Sequence, residues 1–188
     1  VFDFTPRQLA SVRSNKFWES GAEFPGFTRV YVADPRFPVS VAVPSGSKTE
    51  YEFWDEDALA VQVEVRGDGT LTVSQINLAR MPDRLAQEVR AGRRNVIDYV
   101  RSQEESIRDE ISGLRFKIRR NAIMVNGTPV SVVDIEDGTR RAFFLSSDNV
   151  IWNIIGRELA DHVYQRIADS FRFIQVSAIR EALRQAGG

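Results

Sequence analysis

NAIMVNGTPVSVVDIEDGTRRAFFLSSDNVIWNIIGRELADHVYQRIADSFRF, residues 121–173, is the stretch whose reading decides the fold. Apolar side chains alternate at period two through residues 122–125, 129–136, 141–145 and 150–155, then recur at helical spacing over 158–170. This pattern predicts a four-strand meander closed by one amphipathic helix. Leu159, Val163 and Ile167 form the buried face of that helix, and Phe171 continues its line. Asn126-Gly127 offers the pair of positive φ angles that a two-residue hairpin needs. Asp137-Gly138 and Asp148-Asn149 supply the next two reversals.

Immediately upstream, Leu114, Phe116 and Ile118 point to one side of a strand and Arg115, Lys117 and Arg119 to the other. Before it, Pro82 opens the longest predicted helix, running to about residue 112 with Gly113 as its stop. Leu85, Val89, Gly92, Val96, Val100, Gln103, Ile107 and Ile111 make its buried stripe, which covers a sheet. Gly92 is read as a point of close packing in preference to a kink.

Residues 58–65 and 71–73 form a hairpin around Arg66-Gly67-Asp68-Gly69. Leu59, Val61, Val63 and Val65 face the core, with Gln62, Glu64, Arg66, Thr72 and Ser74 on the other face. Residues 28–33 and 37–43 make an antiparallel pair, and Pro44-Ser45-Gly46-Ser47 an exposed loop too short to divide domains. Thr5-Pro6 starts a first helix carrying Leu9, Val12, Lys16 and Phe17 and ending at Gly21. After Phe173, the spacing of Val176, Ile179, Leu183 and Ala186 predicts a short helix folded back on its own domain.

The expected class is α+β: an antiparallel β-sheet flanked by helices, an α/β/α sandwich with extra N-terminal and C-terminal helices. One domain spans residues 1–188, made of a helix and turn over 1–27, a core over 28–173 and an extension over 174–188. A net charge of −1 gives no general attraction to nucleic acid. No stretch is apolar enough to span a bilayer. The absence of cysteine removes disulfides, thiolate nucleophiles and Cys-ligated zinc together. The start at Val1 favours an exported mature chain, periplasmic or lipoprotein-derived, over a cytoplasmic one.

Little in the chain points to catalysis. His162 is the sole histidine and sits at the edge of a buried helical stripe, where a packing role is the ordinary outcome. Neither a nucleophile elbow nor a Gly-rich phosphate loop occurs. Asp55-Glu56-Asp57 and the cluster Asp134, Glu136, Asp137 offer oxygen ligands, but both lack the spacing of a calcium loop and read as solvated turns. Arg66-Gly67-Asp68 is a hairpin tip, and Asn126-Gly127-Thr128 is a turn before it is a glycosylation acceptor. Neither catalytic residue nor cofactor is expected. The informative exposed feature is the basic row Arg115, Lys117, Arg119, with Arg120, Arg140 and Arg141 close in sequence. These cations either pair across strands with Glu64, Asp134 or Glu136, the favoured account, or form a patch for an acidic protein or an anionic head group.

The order of elements, with Asn126-Gly127, Ala142-Phe143-Phe144, Val150-Ile151-Trp152 and the closing Ile167-Ala168-Asp169-Ser170-Phe171-Arg172-Phe173, resembles the PsbP-like superfamily. That group takes in the PsbP photosystem proteins, DcrB-like bacterial proteins, LpqN-like lipoproteins and the Ran-binding nuclear import factor. Upstream, Phe37-Pro38-Val39-Ser40-Val41-Ala42-Val43-Pro44 looks like their early strand, and the likeness covers about residues 28–173. The first helix and the C-terminal extension depart from the pattern. The resemblance implies an antiparallel sheet flanked by helices and a non-enzymatic accessory or binding role, for some members as chaperones of secreted effectors. The expected function is a bacterial interaction protein, an envelope accessory factor or an effector chaperone, that meets a protein partner through Arg115, Lys117, Arg119 and Trp54. Two alternatives stand: a carrier of a small apolar ligand or lipid with its cavity near Gly92, and a metal-dependent hydrolase using Asp55, Asp57 and His162.

Overall fold

The computed structural model describes residues 17–19, 25–32, 34–55, 58–67, 69–77, 83–93, 115–146 and 150–187. In chain order they form β1 (Phe17–Glu19), β2 (Phe27–Val32), β3 (Val39–Pro44), β4 (Lys48–Asp55), β5 (Ala58–Glu64), β6 (Thr70–Asn77) and α1 (Asp83–Arg90). Next come β7 (Phe116–Val125), β8 (Thr128–Ile135), β9 (Thr139–Leu145), β10 (Val150–Arg157), α2 (Asp161–Ser170), β11 (Arg172–Phe173) and α3 (Val176–Gly187). The strands make two antiparallel sheets, ordered β1-β2-β3-β11 and β4-β5-β6-β10-β9-β8-β7. The class is α+β, with two sheets in place of the one expected. Gly46, at φ 87°, turns the chain from the small sheet into the large one, and β11 rather than β4 takes the second edge of β3.

The turns follow their residues. Asn126 and Gly127 hold φ of 50° and 74°, the two positive angles of a type I′ hairpin, and Val125 pairs with Thr128 across them. Alternation then sets the faces. Val61, Val63, Leu71, Val73, Val132, Ala142, Trp152 and Ile154 share one side of the large sheet, against Val30, Val39, Val41 and Val43 of the small sheet and Tyr164, Ile167 and Ala168 of α2. Phe37 meets Trp152 edge to face at 5.0 Å, a geometry that adds about 1 kcal/mol to the burial of each ring. The second face of the large sheet is buried at its centre too, through Thr72, Ser74, Val133, Ile151, Asn153 and Ile155.

Three expectations need correction or bounding. Phe17 is not helical: Phe17–Glu19 pairs antiparallel with β2, Phe17 opposite Val32, because a strand edge offers its backbone groups a ladder and such tertiary pairing overrides local helical spacing. Residues 5–16 of the expected first helix lie outside the described residues. The helix opened near Pro82 stops at Arg90: the Gly92 N–H donates to the Val89 carbonyl at 3.1 Å and the Arg93 N–H to that of Glu88 at 2.9 Å. This is the bond pair of a Schellman stop, with Gly92 at φ 68°. A Cβ there would meet nothing within 4 Å among the described residues, so within them Gly92 serves a backbone angle and not close packing. The continuation expected over 94–112 and the Asp148-Asn149 turn lie outside the described residues. The C-terminal segment is a helix, α3, and it folds back on its own chain, with Ile179 and Ala182 fully buried.

Candidate functional site: the β7 edge and its cleft

β7 ends the large sheet, paired among the described residues with β8 alone. Its register steps from Arg119 opposite Val132 to Ile123 opposite Val130, so Arg120, Asn121 and Ala122 face the single residue Ser131. Asn121 takes φ 48° and turns its N–H to Ser131 Oγ at 3.4 Å. Such a bulge bends the strand and re-aims its side chains. The C-terminal half of β7 thereby lines a groove of about 450 Å³ with α2, among Asn121, Ile123, Met124, His162, Gln165 and Arg166.

On the α2 side of the sheet Arg119, Asp134, Arg140 and Asp161 form a paired cluster. Asp134 of β8 stands between β7 and β9 and accepts from Arg119 Nε at 2.5 Å and from Arg140 Nε at 2.6 Å. Arg140 also donates to Asp161 Oδ1 at 2.8 Å, and its guanidinium lies 5.6 Å from the centre of the Tyr164 ring. Partial burial alone would raise the Asp134 carboxyl; the hydrogen bonds from Arg119 and Arg140, reinforced by their charges, outweigh it and hold the group below its ordinary value. Tyr164 is pushed well above its ordinary value by burial, and its hydroxyl donates to the Ile154 carbonyl at 2.8 Å. The ring closes over Gly156, where a Cβ would come within 2.6 Å of it. These residues line a cleft of about 320 Å³ that also takes in Thr139, Glu158 and Leu159. In this cleft the Tyr164 hydroxyl is already engaged as a donor and the Asp134 carboxylate is shared by two arginines.

The basic row is thus divided. Arg119 is neutralised by Asp134. Arg115 is exposed, its N–H bound to Glu136 Oε2 at 3.1 Å. Lys117 and Arg120 are exposed on the strand and form no ion pair among the described residues. Trp54 does not join them: it lies at the irregularity of β4, on the opposite edge of the sheet, six strands from β7. At about 4.8 Å per strand that is roughly 29 Å along the sheet. Asp55 ends β4 as well, whereas His162 is on α2 beside β7, so the structure does not bring the two together. Asp57 lies outside the described residues. Among the described residues no three His, Asp or Glu side chains converge on a metal position, and no helix is long and apolar enough to cross a membrane.

Sequence reasoning missed three positions that hold the site in place. Ser170 ends α2 and pins it to the small sheet: its Oγ accepts from the Ala42 N–H at 2.7 Å and donates to the Ile167 carbonyl at 2.6 Å. Buried Arg29 donates to the Ser170 carbonyl at 2.8 Å and to Ser40 Oγ at 2.9 Å. Gly156 carried a signal that could have been read, since a glycine inside an apolar strand marks a close approach. Compared with known proteins, the chain matches no family model, no curated protein and no solved structure.

Proposed function

We propose that this chain is a non-catalytic bacterial interaction protein that binds a protein partner through the β7 edge, as an envelope accessory factor or a chaperone of secreted effectors. One observation carries the reading: Lys117 and Arg120 stand exposed on an edge strand, while Arg119 beside them is already neutralised by Asp134. Cations kept only to cover a solvated sheet face would be paired alike. In this reading the core is a PsbP-like α/β/α sandwich, supported by the antiparallel order of the large sheet and by α2 crossing one of its faces. Trp54, at the far edge, belongs to a separate contact in this reading.

The test is charge reversal that spares the structural arginine. Arg115→Glu, Lys117→Glu and Arg120→Glu, combined, leave the Arg119–Asp134 pair in place. Wild-type chain recovered from native cells should cross-link to a protein through Lys117, and the triple variant, used as bait in a pull-down without cross-linker, should fail to capture that protein while keeping its melting temperature. Equal capture by the variant overturns the reading.

A second reading, an apolar-ligand carrier, has one observation in its favour. Asn153 is 5% exposed on the second face of the large sheet, between Ser74 and Phe143, and among the described residues its Oδ1 has no hydrogen-bond partner. A buried acceptor left so costs about 1–3 kcal/mol, which a donor on a ligand would recover. Native mass spectrometry finding no small molecule on the chain removes this reading. Gly92, as a helix stop, no longer supports it.

A further inference from the structure

We infer that the partner binds by strand addition: an extended, acidic segment joins the edge of β7 that no strand covers among the described residues, at Met124, and seats one apolar side chain in the groove between β7 and α2. This rests on the reading of β7 as the binding edge and adds its mode and the chemistry of the partner.

The first support is the direction of the backbone groups. Val125 and Thr128 close a two-residue hairpin and form its hydrogen-bonded pair. Met124 then falls on a pair whose N–H groups point away from each other, and its opposite number, Pro129, has no N–H to give. At the other end, the Glu136 N–H donates to the Arg115 carbonyl at 2.9 Å, so alternation turns the N–H and C=O of Ile118 outward as well. Both halves of β7 therefore offer main-chain donors and acceptors to an added strand.

The second support is the surface beside that edge. Met124 is 45% exposed, one of two large apolar side chains so placed among the described residues. It borders the groove of about 450 Å³ that also holds His162, Gln165, Arg166 and, as its one carboxylate, Asp169, and an apolar side chain entering there leaves the acidic residues of the strand to Lys117 and Arg120. A strand laid along β7 would turn alternate side chains into this groove, which is the source of selectivity in strand-addition complexes. The third support is charge. The sequence of β7, FKIRRNAIMV, contains Lys117, Arg119 and Arg120 and no carboxylate. A second copy pairing edge to edge would bring like charges together, and the bulge shortens the run it could use; both are means by which sheets avoid self-association. An acidic strand meets Lys117 and Arg120 favourably, so the same features exclude a copy and admit a partner.

The experiment is selection of displayed random decapeptides on the full-length chain, with two variants of Met124 as arms. Met124→Pro removes the outward N–H without touching the β7–β8 ladder, and Met124→Thr retains it while shortening the side chain. Expected are enriched peptides carrying several Asp or Glu among β-favouring residues, bound at least tenfold more weakly by Met124→Pro and within threefold of wild type by Met124→Thr. The Ile118 and Met124 amides should gain protection from hydrogen exchange when peptide saturates the chain. Acidic peptides that bind Met124→Pro as well as wild type, or that leave both amides unprotected, overturn strand addition while leaving a charged patch intact. Failure to enrich acidic peptides, with binding also indifferent to the triple charge reversal, overturns the binding edge itself.

Discussion

Gly156→Ala tests whether the cleft is built by close approach of α2 to β10. A Cβ at residue 156 would lie 2.6 Å from Tyr164 Cδ2, 3.0 Å from Cε2 and 3.3 Å from Leu159 Cδ1. Carbon contacts settle near about 3.5–4.0 Å, so the ring must retreat by roughly 1 Å. It has little room, since Tyr164 is 1% exposed and fixed at its far end by the hydrogen bond to Ile154. Overpacking of this kind costs about 1–3 kcal/mol, and loss of the buried hydrogen bond adds about 1 kcal/mol. Replacing glycine in a strand returns about 0.5–1 kcal/mol of backbone entropy. The net expectation is destabilisation by about 2–3 kcal/mol, or roughly 5–10 °C in melting temperature for a chain of this size. Urea and thermal melts followed by circular dichroism measure it, with Gly156→Ala, Tyr164→Leu and their combination completing a cycle. Because the smaller side chain removes the clash, the double variant should cost less than the sum of the singles. An alanine variant as stable as wild type, or strict additivity, would refute the reasoning.

Asp134→Asn should cost about 1–2 kcal/mol at neutral pH, after screening at this partly exposed triad is allowed for. Because Asp134 titrates below its ordinary value in the folded chain, its contribution is complete above the unfolded carboxylate range and fades as pH falls through the folded value. The gap between wild type and variant should therefore be flat above about pH 5 and close on acidification, and a gap that widens in acid contradicts the assignment. Ser170→Ala leaves the buried Ala42 N–H without its acceptor, at about 1–3 kcal/mol; exchange of that amide should accelerate, and unchanged protection refutes the pin. Gly92→Ala should cost only the left-handed backbone penalty of about 1–2 kcal/mol; a loss above about 3 kcal/mol would mean that Gly92 packs tightly after all.

What the residues disclose depends on how local the physics is. The meander over 121–155 was readable because alternation and turn chemistry are properties of neighbours: Asn126-Gly127 sets its own hairpin whatever surrounds it. Gly92 misled because its letter fits two roles. Apolar residues continue at helical spacing through Ile111, so periodicity alone runs straight across a stop that only φ reveals. Phe17 misled for a different reason. Its helical spacing was genuine, but the ladder to β2 belongs to residues fifteen places away at Val32, and pairing of that kind overrides propensity. The closing Ser170-Phe171-Arg172-Phe173 was noticed for its aromatic pattern, while Ser170 does the joining through Ala42, 128 residues distant in sequence.

At the candidate site the basic row meets the same limit. Alternation puts Lys117 and Arg119 on one side of β7, where they look equivalent. They become different through register: Lys117 lies opposite Asp134, yet that carboxylate is taken by Arg119 on one side and Arg140 on the other. Asp161, from α2, satisfies Arg140 a second time and keeps it from competing for an outside anion. The charge left at the edge is therefore a product of three strands and a helix, and no stretch of sequence holds it. A one-residue slip of β7 would turn Lys117 toward the face of Phe116 and Ile118 and strand Arg119 from its partner. The forces that fix the core register also fix which cations β7 presents to a partner, so core variants that loosen β8 should weaken binding before they unfold the chain.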